Sequence, residues 1–140
     1  MFRLDKEVLM IDYDGLNTNV ITTYGDVIFR GNNIKNILNE SCISYGSSLN
    51  GRIKGSKWAL KSKYKLPIVV SEKEKLVFFP VKEMGREIWI NFDMIKEVKK
   101  NKNIVKVEFK NGLKVDINVS YTIFNNQVLK ASRLWIIFLT

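Results

Sequence analysis

Histidine is absent from the chain and cysteine occurs once, as Cys42. These two shortages exclude Ser–His and Cys–His nucleophiles, His-ligated metals, four-ligand Cys/His zinc sites and any intrachain disulfide. Carboxylates are scattered, without the Asp/Glu cluster of a nuclease metal site. No cofactor is expected, and catalysis has little to stand on. Proline occurs twice, and no Pro/Gly/Ser linker, low-complexity tract or repeat of roughly 20–50 residues breaks the chain. Long apolar runs are missing as well. The longest, Leu134–Leu139, has six residues, against the roughly 20 that span a bilayer. The opening Met1–Glu7 loses its apolar character too early for a signal peptide. The expectation is a soluble, cytoplasmic protein without membrane contact. Its 140 residues suit one domain over 1–140, able to bury roughly 70% of its unfolded surface.

Acidic side chains are missing from one long stretch. The net charge is +9, yet residues 1–40 carry four basic and six acidic side chains, and residues 41–140 carry nineteen and eight. Ser41–Ser71 contains Arg52, Lys54, Lys57, Lys61, Lys63 and Lys65 and no Asp or Glu. A second concentration, Lys96–Lys114, has seven lysines against Glu97 and Glu108. Codon bias toward lysine, asparagine and isoleucine explains many lysines but not so long a stretch without an acid. Such segregation draws polyanions.

Periodicity places the elements. Glu7–Asp12, Asn19–Thr23, Val27–Phe29, Pro67–Val70, Leu76–Phe79 and Glu87–Asn91 read as short strands, with Pro80 closing the fifth. Ile34, Ile37, Leu38 and Cys42 recur at helical spacing behind an Asn32 or Asn33 N-cap. Gly46, Gly51 and Gly55 leave the following basic stretch irregular or kinked. In Ile104–Val119, two alternating rows flank Asn111-Gly112. A two-residue loop would set Val105, Val107, Phe109 and Leu113, Val115, Ile117 on opposite faces. A three-residue loop, Lys110–Gly112 with the glycine left-handed, pairs Phe109 with Leu113 and puts both rows on one face. After Ser120 as N-cap, Tyr121, Phe124, Val128, Ala131 and Trp135 form a second helical stripe. The apolar end, Leu134–Leu139, must pack on the body or on another subunit. The fold class expected is α+β: one domain, mostly antiparallel sheet, two amphipathic helices.

Gly46-Ser-Ser-Leu-Asn-Gly51-Arg52-Ile53 has the glycine spacing of a phosphate loop, but arginine and isoleucine stand where lysine and the magnesium-binding hydroxyl belong. Two readings remain open: a backbone that lets an anion approach, with Arg52 forking onto phosphate or entering a narrow groove, and a tight structural turn. Tyr45, Trp58 and Tyr64 interleave with the cations, as base-stacking aromatics do. Trp58, followed by Ala59-Leu60, is read as core, and Cys42 as an inert buried thiol.

Ser41-Cys42-x-x-Tyr45-Gly46-Ser47-Ser48-x-x-Gly51-Arg52 resembles the signature of ComK, the competence transcription factor family of low-GC Gram-positive bacteria. Pro67-Ile68-x-Val70, Phe78-Phe79-Pro80, Trp89-Ile90, Phe109-x-Asn111-Gly112, Ser120-Tyr121 and Phe124-x-Asn126-Gln127-Val128 follow in the family's order. The resemblance covers roughly Glu7 to Trp135. It implies a sequence-specific DNA-binding regulator that recognises A/T-rich paired boxes through the minor groove, works as an oligomer and is subject to adaptor-directed proteolysis. Longer family members continue past the position of Trp135, so functions lodged there are not carried over. The signature does not say which residues touch DNA. That assignment rests on charge: Arg52 for groove insertion, Lys54, Lys57, Lys61, Lys63 and Lys65 for phosphates, and Ser47, Ser48 and Asn50 for hydrogen bonds. The expected partners are double-stranded DNA, further copies of the chain and a proteolytic adaptor. The competing reading is a protein-interaction module, or a non-activating shortened paralogue, docking through the apolar C-terminal segment.

Overall fold

The computed structural model describes residues 2–140. Nine strands and three helices form an α+β fold. A six-stranded antiparallel sheet has the order β3-β2-β1-β6-β5-β4, from β1 (Val8–Tyr13), β2 (Asn17–Thr22), β3 (Gly25–Arg30), β4 (Ile68–Ser71), β5 (Leu76–Glu83) and β6 (Arg86–Asn91). A second sheet runs β7-β8-β9, from β7 (Ile95–Asn101), β8 (Ile104–Phe109) and β9 (Lys114–Ile117). The central β1 and β6 are apolar on both faces because both faces of the large sheet are covered. One face packs Ile11, Val20, Phe78 and Trp89 against α1 (Ile34–Ser44). The other packs Leu9, Val77, Phe79 and Ile90 against the small sheet and α3 (Tyr121–Leu139). Among the described residues, no helix is long and apolar enough to cross a membrane.

The parity argument at Asn111 holds. Phe109 N–H donates to the Leu113 carbonyl at 2.8 Å, Gly112 lies at φ +93°, and Val107 faces Val115. Two expectations need correction. The basic stretch after Gly46 is a helix, α2 (Leu49–Leu60), so the chain has three helices and not two. Gly51 and Gly55 cost helix propensity, but small side chains on the inward face let α2 lie close on β4: Ser56 Oγ donates to the Pro67 carbonyl at 2.6 Å, and Ala59 is buried. Pro80 does not end its strand. Its carbonyl points away from β6 and accepts from Gln127 Nε2 at 2.8 Å. In an extended strand N and O of one residue face the same side, so the missing N–H falls beyond the reach of β4 and removes no ladder bond. Strand β7 lies outside the elements that periodicity places, because its IKEVKKN sequence shows no apolar alternation. Its register with β8 holds it in place.

The C-terminal apolar run packs on the body as the last turns of α3. Leu134 and Leu139 are buried, Trp135 lies against Phe92 at 5.8 Å between ring centres, and Phe138 against Trp58 at 6.3 Å. Ile136 and Ile137 stay exposed.

Candidate nucleic-acid interface

The Ser41–Arg52 signature is built as a hinge between two helices. Ser41 Oγ accepts from Leu4 N–H at 3.0 Å, and Tyr45 Oη donates to the Leu4 carbonyl at 2.7 Å, tying α1 to the N-terminal segment. Gly46, at φ +88°, closes α1: its N–H donates to the Ile43 carbonyl and Ser47 N–H to that of Cys42, each at 2.9 Å. This is the Schellman arrangement, which needs a left-handed residue and so favours glycine. Ser48 caps α2, its Oγ accepting from Gly51 N–H at 3.0 Å, while Asn39 Oδ1 accepts from Leu49 N–H at 3.1 Å. These partners take the N–H groups of Gly46, Ser47, Leu49 and Gly51, as a structural turn does. Cys42 is fully buried. Burial pushes its thiol up to about 11, with the Arg52 charge pulling only weakly the other way, so it is inert at neutral pH.

Arg52 lies on the inward side of α2. Nη1 sits 2.8 Å from Glu72 Oε1, and the side chain is 18% exposed. Its guanidinium is thus engaged within the protein, by a glutamate that is itself exposed. Ser48 is likewise spent on the cap, and Ser47 is half-buried in the turn. The remaining residues fall out differently. At 3.6 residues per turn, Asn50, Lys54 and Lys57 share the outer face of α2, and all three are exposed. Lys61 closes the helix in the left-handed region at φ 52°, donating its N–H to the Lys57 carbonyl at 2.9 Å. Lys63, Tyr64 and Lys65 follow in an exposed loop. Among the described residues, none of these five lysines has a carboxylate within 4.0 Å. Trp58 is not core: it is 72% exposed beside the same face. Alanine, and not tryptophan, takes the inward position at this turn.

The loop is held from behind. Gln127, buried on α3, donates through Nε2 to the Lys65 carbonyl at 2.9 Å and to that of Pro80 at 2.8 Å. Lys65, at φ 50°, is thereby locked in a left-handed conformation. Periodicity marked Phe124 and Val128 but not Gln127, whose role needs the distant loop. Between α1, α2 and the β5–β6 hairpin lies a cleft of about 740 Å³. Lys57, Lys63 and Lys65 stand on one side of it, and Lys35 of α1 and Lys82 of β5 form the far rim. Neither far-rim lysine has a sequence signal, because each is a single cation far from the basic stretch.

The second basic concentration is organised otherwise. Lys96 lies 3.8 Å from Glu108, Lys99 3.9 Å from Glu97, and Lys110 3.5 Å from Asp93. Across the ladder, Lys106 faces Asp116 and Lys114 faces Glu108.

A family model described as ComK protein matches residues 8–139. The competence transcription factor of Bacillus subtilis (strain 168) is 33% identical over 101 residues, which cover 70% of this chain and 53% of that protein. The chain thus spans about half the length of this curated relative. No solved structure matches it.

Proposed function

The chain belongs to the ComK protein family, and from that premise we propose that it is a DNA-binding transcription regulator of the competence type, with no catalytic role. The observation that carries the reading is the group of five exposed, unpaired lysines on the outer face of α2 and the loop behind it. Lys54, Lys57 and Lys61 are assigned to phosphates, with Asn50 beside them. A/T-rich recognition through the minor groove divides the labour further. That groove is roughly 6 Å wide, whereas a helix with its side chains measures roughly 10–12 Å across, so α2 lies along the backbone. The narrow loop Lys63-Tyr64-Lys65 is the part that enters, where A/T tracts concentrate negative potential. Arg52 becomes a positioning residue that fixes α2 to the β4–β5 turn.

Minor-groove reading separates A·T from G·C and little more, so paired boxes and an oligomer supply the rest of the specificity. Leu129, Ile136 and Ile137, exposed on α3, offer the apolar strip on which a second copy packs. Control by a proteolytic adaptor belongs to the same proposal. The test is binding to A/T-rich and G/C-rich duplexes across a salt series. The expected result is tighter A/T-rich binding and a log–log slope steeper than about −2.5, since the three phosphate-bound lysines contribute about −0.9 each. A slope near zero, or equal affinity for both duplexes, overturns the reading.

A further inference from the structure

The cleft beside α2 has a composition that a duplex does not use. Five cations from four separate elements ring it, Lys35, Lys57, Lys63, Lys65 and Lys82, against Glu87 alone. Glu87 is already engaged, accepting from Trp89 Nε1 at 2.6 Å. The floor is apolar, with Leu49, Ile53 and Ile68 beside the indole of Trp89. A phosphodiester backbone satisfies the rim and leaves that floor wet. A single fatty or aromatic carboxylate needs one ammonium group and leaves the others facing one another. The volume of about 740 Å³ admits several large side chains, within the roughly 300–1,000 Å³ of ordinary ligand sites. What matches both parts is a ligand with spaced negative charges around an apolar stripe.

We propose that this cleft docks an acidic amphipathic peptide segment of a partner protein, its apolar side chains at helical spacing on the floor and its Asp and Glu side chains on the lysine rim. Lys57, Lys63 and Lys65 also belong to the proposed DNA face, so a seated peptide and a bound duplex exclude each other. That exclusion rests on the DNA reading, whereas occupancy of the cleft does not.

The experiment is an anisotropy titration of the full chain with a labelled synthetic peptide of about 15 residues, Glu-rich with Leu at i, i+3, i+4 and i+7. Two comparators accompany it, one with Ser for Leu at unchanged charge and one with Gln for Glu at unchanged apolar spacing. Saturable binding of the parent peptide is expected, with both comparators weaker by about tenfold or more. Lys35→Ala combined with Lys82→Ala, both on exposed side chains, should weaken the parent peptide about tenfold and change duplex affinity less than about twofold. Equal binding of the Ser comparator, or no response to the double variant, overturns the proposal. Peptide binding without any duplex binding removes the DNA reading and leaves the cleft proposal standing; duplex binding without peptide binding does the reverse.

Discussion

Two stretches of this chain are lysine-rich, and they differ in what surrounds each lysine. On β7–β9 Glu97 stands beside Lys99 on one strand, and the antiparallel β8–β9 ladder sets Asp116 opposite Lys106 and Glu108 opposite Lys114, although Lys99 also faces Lys106. Each such exposed pair is worth only about 0–1 kcal/mol to stability. Together they flatten the field that a polyanion would feel. On α2 and its loop, the acidic residues that could do the same are absent from thirty residues of sequence. Of the two that approach from elsewhere, Glu72 takes Arg52 and Glu87 accepts from Trp89, and among the described residues neither comes within 4.0 Å of these lysines. Lysine count alone does not make an electrostatic surface; the placement of carboxylates decides it.

The comparison breaks most directly by matched triple variants. Replacing Lys54, Lys57 and Lys61 by alanine should weaken binding to any duplex by about 100-fold near 0.1 M salt and flatten the log–log slope by about 2.7. The matched set on β8–β9 and β7, Lys99, Lys106 and Lys114, should cost about threefold at most. Equal losses from the two sets, read by titration over a salt series, end the distinction.

Gln127→Leu sharpens it from behind. The Lys65 and Pro80 carbonyls lose their donor, which should lower stability by about 2 kcal/mol in a denaturant titration. The unseated loop should also lose most of its A/T over G/C preference, while the salt slope stays nearly unchanged. Tyr64→Ala should reduce that preference by about fivefold without altering stability, because the ring is 78% exposed and packs on nothing that folding needs. Arg52→Met should leave the salt slope within less than one phosphate's worth, about 0.9. A fall of a full phosphate contact would return Arg52 to the DNA surface. A last variant, Lys61→Gly, separates stability from affinity. Glycine relieves the left-handed backbone at φ 52°, adding about 1 kcal/mol of stability, while the slope falls by about 0.9. Stability and affinity moving in opposite directions in one variant identify Lys61 as a residue kept for its charge.

Much of the fold was legible where burial imposes a period. The Ile104–Val119 hairpin could be solved to its loop length because only one parity puts both apolar rows on one face. Helix α1 and its cap, and the Phe124–Ala131 stripe, follow from the same logic. The basic stretch was legible in charge and not in shape. Its inward face interrupts Leu49, Ile53 and Leu60 with serine, alanine and a paired arginine, and the two glycines hide what apolar period remains. Trp58 misled for the related reason that a large aromatic suggests burial, whereas close approach of α2 to β4 admits only small side chains.

The signature that identifies the family proved to be a capped hinge, whose glycine and serines serve backbone geometry. From sequence alone came the lack of histidine and of a second cysteine, the α+β class, the family and the acid-free stretch, because these depend on composition, period and local order. Tertiary structure alone decided which cations are free, that Arg52 turns inward to Glu72, that Gln127 holds the basic loop and that Lys35 and Lys82 join a common cleft. Those facts depend on groups far apart in the chain meeting across the core, and no local pattern encodes such distances.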